Sequence, residues 1–123
     1  GLLTPTTGFL TTFPLARISA AIYPFEFIPG TVTDNLSFAS SETQRKIYSE
    51  LLAEFGLDEH IEKDPTELSA GQRKKIEIIM TLIKDSDVYI FDEPLAGIDS
   101  SSKESVMNAI FRHTNGKILI VIM

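Results

Sequence analysis

Two apolar runs, VYIF at Val88–Phe91 and ILIVIM at Ile118–Met123, constrain the fold more than any other feature of the sequence. Both have the length of a strand. The stretch between them, SSSKESVMNAIFRHTNG, has helical spacing and ends on the turn-forming pair Asn115–Gly116. Strand, helix, strand at this spacing is a βαβ unit, because parallel strands need a crossover of about a dozen residues or more. Runs without polar alternation belong to a parallel sheet covered on both faces, so the predicted class is α/β.

Upstream, RISAAIY (Arg17–Tyr23) predicts a further short strand, and PFEFIPGTVTDN predicts an irregular loop punctuated by Pro24, Pro29 and Gly30. The period then changes. Ile47, Leu51 and Phe55 fall four apart, Ser41 with Gln44 makes a capping box and Gly56 a stop, which predicts a helix over about residues 42–55. A polar connector leads to a second predicted helix, Ala70 to Lys84, with Ile76, Ile79, Met80 and Ile83 as its buried stripe. Ser101 and Glu104 offer a capping box for a third, and Asp99 offers an N-cap for Ser100–His113. The expected layout is an α/β core (1–33 and 85–123) into which a helical lobe, 34–84, is inserted.

Composition closes off several functions. A formal net charge of -6 argues against a surface that tracks nucleic-acid phosphates. With no cysteine and two histidines, His60 and His113, neither a disulfide framework nor a zinc site is expected. No apolar run approaches the ~18 residues that cross a bilayer.

Asp92 and Glu93 stand where the first apolar run ends, and in open α/β sheets ligands gather at the carboxyl ends of strands. The residue types fit two readings: a strand that ends in solvent, or a pair in which one carboxylate holds Mg²⁺ and the other orients a water. In LSAGQRKK, Ser69 and Gln72 are explained by a capping box, but Gly71 is not, because glycine in the first turn of a helix costs ~1 kcal/mol relative to alanine. Something is expected to approach its backbone closely. A helix N-terminus with free N–H groups and a hydroxyl suits a phosphate, and Arg73, Lys74 and Lys75 are either a supporting potential or a solvated face.

Taken together, LSAGQ, then DVYIFDEP and AGID in that order and spacing, resemble the signature motif, Walker B strand and D-loop of the ABC ATPase family. GLLTPTTG resembles the segment that follows the Walker A helix, FIPGTVTDNLSF the entry to the helical subdomain of exporters, and KILIVIM the last strand before the switch histidine. The resemblance implies a partial P-loop NTPase core with ATP and Mg²⁺ as ligands. It implies that Asp92 holds Mg²⁺ through water, and that Glu93 polarises the attacking water. Ser69, Ala70, Gly71 and Gln72 would meet the γ-phosphate of ATP bound to a second, head-to-tail nucleotide-binding domain, with Asp99 communicating across that dimer.

Some positions depart from the family pattern. No G-x-x-x-x-G-K-[ST] occurs, since Gly116–Lys117 is followed by Ile118. The sequence is therefore expected to be a fragment lacking Walker A and the switch histidine, inactive as an isolated ATPase. His113 is expected at the surface. Tyr23 occupies the Q-loop glutamine position, and Met80 a position that is usually arginine. The resemblance implies the nucleotide-binding domain of an exporter-like ABC transporter, acting with transmembrane domains at the cytoplasmic face of a membrane and without nucleic acid. Two other readings remain: a slow, regulatory ABC domain that dimerises on nucleotide, and a soluble ABC-type ATPase of DNA repair.

Overall fold

In the computed structural model, which describes residues 16–123, the two apolar runs become neighbouring parallel strands. The elements are β1 (Ile18–Ala21), α1 (Val32–Leu36), α2 (Glu42–Glu54), α3 (Ala70–Leu82), β2 (Val88–Asp92), α4 (Ser100–His113) and β3 (Ile118–Ile122). Two short 3-10 turns, Asp58–His60 and Pro65–Glu67, lie between α2 and α3. The sheet order is β1-β2-β3, parallel throughout, with Ile18 opposite Val88 and Val88 opposite Ile118. The expected βαβ unit, β2-α4-β3, is present.

Helix α3 organises the interior. Ile76, Ile78, Ile79, Leu82 and Ile83 are buried and join Leu51, Leu52, Tyr89, Phe91, Val106 and Ile110 in one core. Each such side chain contributes roughly 1.5–3 kcal/mol of transfer free energy. Capping boxes form at Ser41/Gln44 and Ser69/Gln72 as the sequence predicts. The Gln44 amide also donates to the Ile83 carbonyl at 3.0 Å, fastening the start of α2 to the end of α3.

Other expectations need correction. The first strand is shorter than Arg17–Tyr23, because the Arg17 backbone N–H and guanidinium bind Asp87 instead. The expected loop contains α1, which begins directly after Gly30 with Thr31 and Asp34 capping each other. Helix α3 ends at Leu82 rather than Lys84, and Met80 is only half-buried. Asp99, not Ser101, caps α4 through the Ser102 N–H. His113 is half-buried rather than a surface residue, and burial, then Arg112, pushes its imidazole below the ordinary value. Finally, among the described residues only one face of the sheet is covered. Ser19, Ala21, Tyr89 and Phe91 are buried, whereas Ile18, Ile118, Ile120 and Ile122 on the opposite face remain 45–62% exposed. With apolar residues at both strand parities, the sequence pattern alone could not reveal this one-sidedness.

Candidate functional site

The carboxyl end of β2 carries Asp92, half-buried and paired in register with Ile122, followed by exposed Glu93. Glu93 is the described non-glycine residue with a positive φ, at 46°. That left-handed conformation costs an L-residue roughly 1–2 kcal/mol and persists only where the surroundings enforce it. Here they do. The Glu93 N–H donates to the Ile122 carbonyl at 2.8 Å, extending the β2–β3 pairing, and the Glu93 carbonyl accepts from the Ala96 N–H at 3.0 Å. Pro94 behind it is fully buried and disfavours the right-handed helical conformation at Glu93. An open depression of about 260 Å³ lies against Glu93, Leu95, Ala96, Lys103 and Met123; Asp92 does not line it.

The turn after Glu93 runs directly into the start of α3. A Cβ on Gly71 would sit 2.6 Å from the Gly97 carbonyl oxygen, so the close approach expected at Gly71 is made by the chain's own backbone. Gly97 itself has φ +75°. Ser69 and Ala70 are exposed beside this contact. At Ser69 the hydroxyl oxygen accepts from the Gln72 N–H at 3.2 Å, while the Gln72 side-chain oxygen accepts from the Ser69 N–H at 2.9 Å.

The basic run that follows is not a solvated face. The Arg73 guanidinium donates to the Leu68 carbonyl at 2.6 Å, and Lys74 pairs with Glu77 at 3.0 Å. Burial nevertheless raises the Glu77 carboxyl above its ordinary value, with Lys74 opposing the shift. Lys75, 8% exposed, donates to the Ser102 hydroxyl at 3.0 Å and lies 3.7 Å from Asp99. It ties α3 to the cap of α4. Asp99 is exposed, and the Ser101 and Ser102 side chains hold its carboxyl down at about 2, with Lys75 adding a smaller attraction.

The structure thus brings Ser69–Gln72, the 93–98 turn and Asp99 into one assembly around Gly71 and Gly97. Tyr23, 88% exposed, lies on the chain leaving the same sheet edge, and lines neither this depression nor the larger one, of about 520 Å³, bordered by Ser41, Lys84, His113 and Lys117. The larger cavity lies near Asp85 and Lys117, which precede β2 and β3, at the opposite end of the strands from Glu93. From the sequence, Lys75 reads only as part of the basic run, and His60, which contacts Gln72, is not singled out. For Lys75 a signal existed, since it shares the helical face of Ile79 and Leu82.

At one site the structure sets a glycine-bearing helix start against the turn that follows the acidic end of a central strand in a parallel sheet. The family model described as ABC transporter matches residues 12–96, which include Ser69–Gln72 and Asp92–Glu93. The macrolide export ATP-binding/permease protein MacB of Hyphomonas neptunium is 34% identical over 68% of this chain and 13% of its own length. The energy-coupling factor transporter ATP-binding protein EcfA2 of Staphylococcus saprophyticus is 36% identical over 84% of this chain and 35% of its own length. A solved structure described as a model of ribosome-bound archaeal Pelota and ABCE1 superposes on 100% of this chain with a TM-score of 0.82 and 28% identity, over 21% of that chain. The chain belongs to the ABC transporter family, and its fold is that of an ABC ATPase core. It spans about a third or less of the two curated relatives named. Among the described residues no helix is long and apolar enough to cross a membrane.

Proposed function

We propose that the chain is part of an exporter-like nucleotide-binding domain whose ATP hydrolysis drives transport, working with a second such domain and with transmembrane components from the cytoplasmic face of a membrane. The observation that carries this reading is Glu93, held in a strained conformation at the end of β2, beside Asp92 and one turn from the Ser69–Gln72 helix start. Glu93 is the catalytic carboxylate, orienting and polarising the attacking water. In-line phosphoryl transfer needs little covalent help from protein, so a positioned carboxylate and positioned donors suffice. Residues 34–84 act as the helical lobe, although α1 straddles its first boundary.

Asp92 offers oxygen donors of the kind Mg²⁺ takes, since this ion is bound through one or two carboxylates plus water and phosphate oxygens. When bound, the ion neutralises charge building on the phosphates. The Ser69 hydroxyl and the first N–H groups of α3 form the face that meets the γ-phosphate of ATP held by the partner domain. Asp99 sits between the two faces, with its carboxylate oriented by Ser101, Ser102 and Lys75. A slower, regulatory variant of this reading draws on Tyr23, an exposed phenol where the family pattern places a glutamine.

Two variants in the full-length protein test the assignment. Glu93→Gln is expected to lower turnover about a hundredfold or more, the scale of a lost general base, and to accumulate an ATP-bound dimer seen by light scattering. Ser69→Arg is expected to prevent that dimer. Wild-type turnover in Glu93→Gln removes Glu93 from the catalytic role.

A further inference from the structure

The side chain of Gln72 is held at both ends. Its oxygen accepts from the Ser69 N–H at 2.9 Å, and its nitrogen lies 2.9 Å from His60 Nε2. The first bond fixes the direction of the second. A backbone N–H can only donate, so the Gln72 atom facing Ser69 is the oxygen, and the atom facing His60 is the donating NH₂. His60 Nε2 is therefore the acceptor, and in the neutral ring the proton resides on Nδ1. That Nδ1 is buried and has no partner among the described residues.

His60 is itself anchored. It ends the 3-10 turn Asp58–His60, and its N–H donates to the Leu57 carbonyl at 2.9 Å. The residues just after it are fastened to the first turn of α1: Val32 N–H donates to the Lys63 carbonyl and Thr33 N–H to the Ile61 carbonyl, both at 2.9 Å. The imidazole thus links a segment tied to α1 with the amide that closes the capping box of α3.

We propose that His60 is a positioning residue for nucleotide engagement by the Ser69–Gln72 helix start. Its Nε2, as an acceptor, gives the Gln72 NH₂ a second anchor beside the bond of the amide oxygen to the Ser69 N–H. That keeps the Gln72 oxygen on the Ser69 N–H, and the Ser69 oxygen on the Gln72 N–H, so the Ser69 hydroxyl proton is left to donate to a phosphate. With the acceptor removed, the Gln72 amide keeps only its bond to the Ser69 N–H, and the capping box that holds the Ser69 hydroxyl is loosened. This inference rests on the proposed role of Ser69–Gln72 in binding ATP held by the partner domain.

The test compares His60→Leu, His60→Gln and Ser69→Arg in the full-length protein, by ATPase kinetics. His60→Leu is expected to raise the KM for ATP about fivefold, which at 1.4 kcal/mol per tenfold is ~1 kcal/mol, the scale of one net hydrogen bond. The kcat at saturating ATP changes less than about twofold, since the loss is one of binding. His60→Gln, whose amide oxygen can accept from Gln72, is expected to restore KM to within about twofold. In a Gln72→Met background, His60→Leu adds nothing further. If Ser69→Arg disables the enzyme while His60→Leu keeps the wild-type KM, or if His60→Gln fails to rescue, the role of His60 is overturned and that of Ser69 stands. If Ser69→Arg behaves as wild type, the proposed function of the helix start falls, and this inference with it.

Discussion

The amino end of α3 and the carboxyl end of β2 touch through Gly71 and Gly97, yet they are built on opposite principles. At α3 the groups are paired: Ser69 and Gln72 exchange hydrogen bonds, Arg73 and Lys74 have partners, and Lys75 is buried against the next helix. At β2 the strand ends in exposed Glu93, bent into the left-handed region and bordering an open depression. The first region is held in place by its own pairings. The second stores strain to present one side chain. A site assembled from both needs the contact between them more than it needs either region's own stability.

The largest effect is therefore expected at that contact. In Gly71→Ala the new methyl would meet the Gly97 carbonyl at 2.6 Å, and the obstacle is backbone that cannot rotate aside. Overpacking of this kind costs about 1–3 kcal/mol, read as a fall in the denaturant midpoint. Activity should fall as well, since the helix start and the turn proposed to carry the catalytic carboxylate are forced apart. An unchanged midpoint would mean that the two loops are not locked together, and the contrast between them would lose its hinge.

Glu93 should respond with the opposite sign. Glu93→Gly removes about 1–2 kcal/mol of left-handed strain but adds roughly 0.5–1 kcal/mol of unfolded-chain freedom, so a net gain of about 0–1.5 kcal/mol is expected. On the catalytic role proposed for Glu93, hydrolysis is expected to be lost in the same variant. Gain of stability with loss of activity at Glu93, against loss of both at Gly71, is the pattern that separates strain held for chemistry from close packing held for architecture. If Glu93→Gly destabilises the fold, the side chain contributes contacts that outweigh its strain.

Much of this was legible in the sequence, and the failures have definite causes. The period-four spacing of α2 and α3, the two capping boxes and the βαβ crossover are local signals, and the structure follows them. Helix α1 was hidden because it has only five residues, and Pro29–Gly30 in front of it reads as a loop. Its Thr31 and Asp34 caps were nonetheless present in the sequence. The positive φ of Glu93 was only half-signalled: Pro94 disfavours the right-handed helical region there, but the bond that holds the turn comes from Ile122, a residue of β3. Gly71 announced a close approach correctly, but not that Gly97 would make it. The contact between His60 and Gln72 joins a turn to a helix by geometry that no spacing rule encodes.

The smallest effect probes Asp99, which lies at the junction of the two regions. Its carboxyl is held at about 2, below the ordinary value of 3.8, chiefly by the Ser101 and Ser102 side chains. A depressed value means that the folded state prefers the charged form. The stability Asp99 contributes is thus fully present above the ordinary value, and is lost as pH falls from there through about 2. Asp99→Asn keeps an N-cap oxygen but cannot ionise, so its stability should follow a shallower acid slope than that of the wild type. Asp34, Asp64 and Asp87 are depressed in the same direction, and burial raises Glu77 in the other. These groups are common to both proteins, so the difference between the two denaturation curves isolates Asp99. Parallel slopes between neutral pH and about pH 3 would show that the carboxylate is not held by its serines. The junction would then rest on the Gly71–Gly97 contact and Lys75 alone.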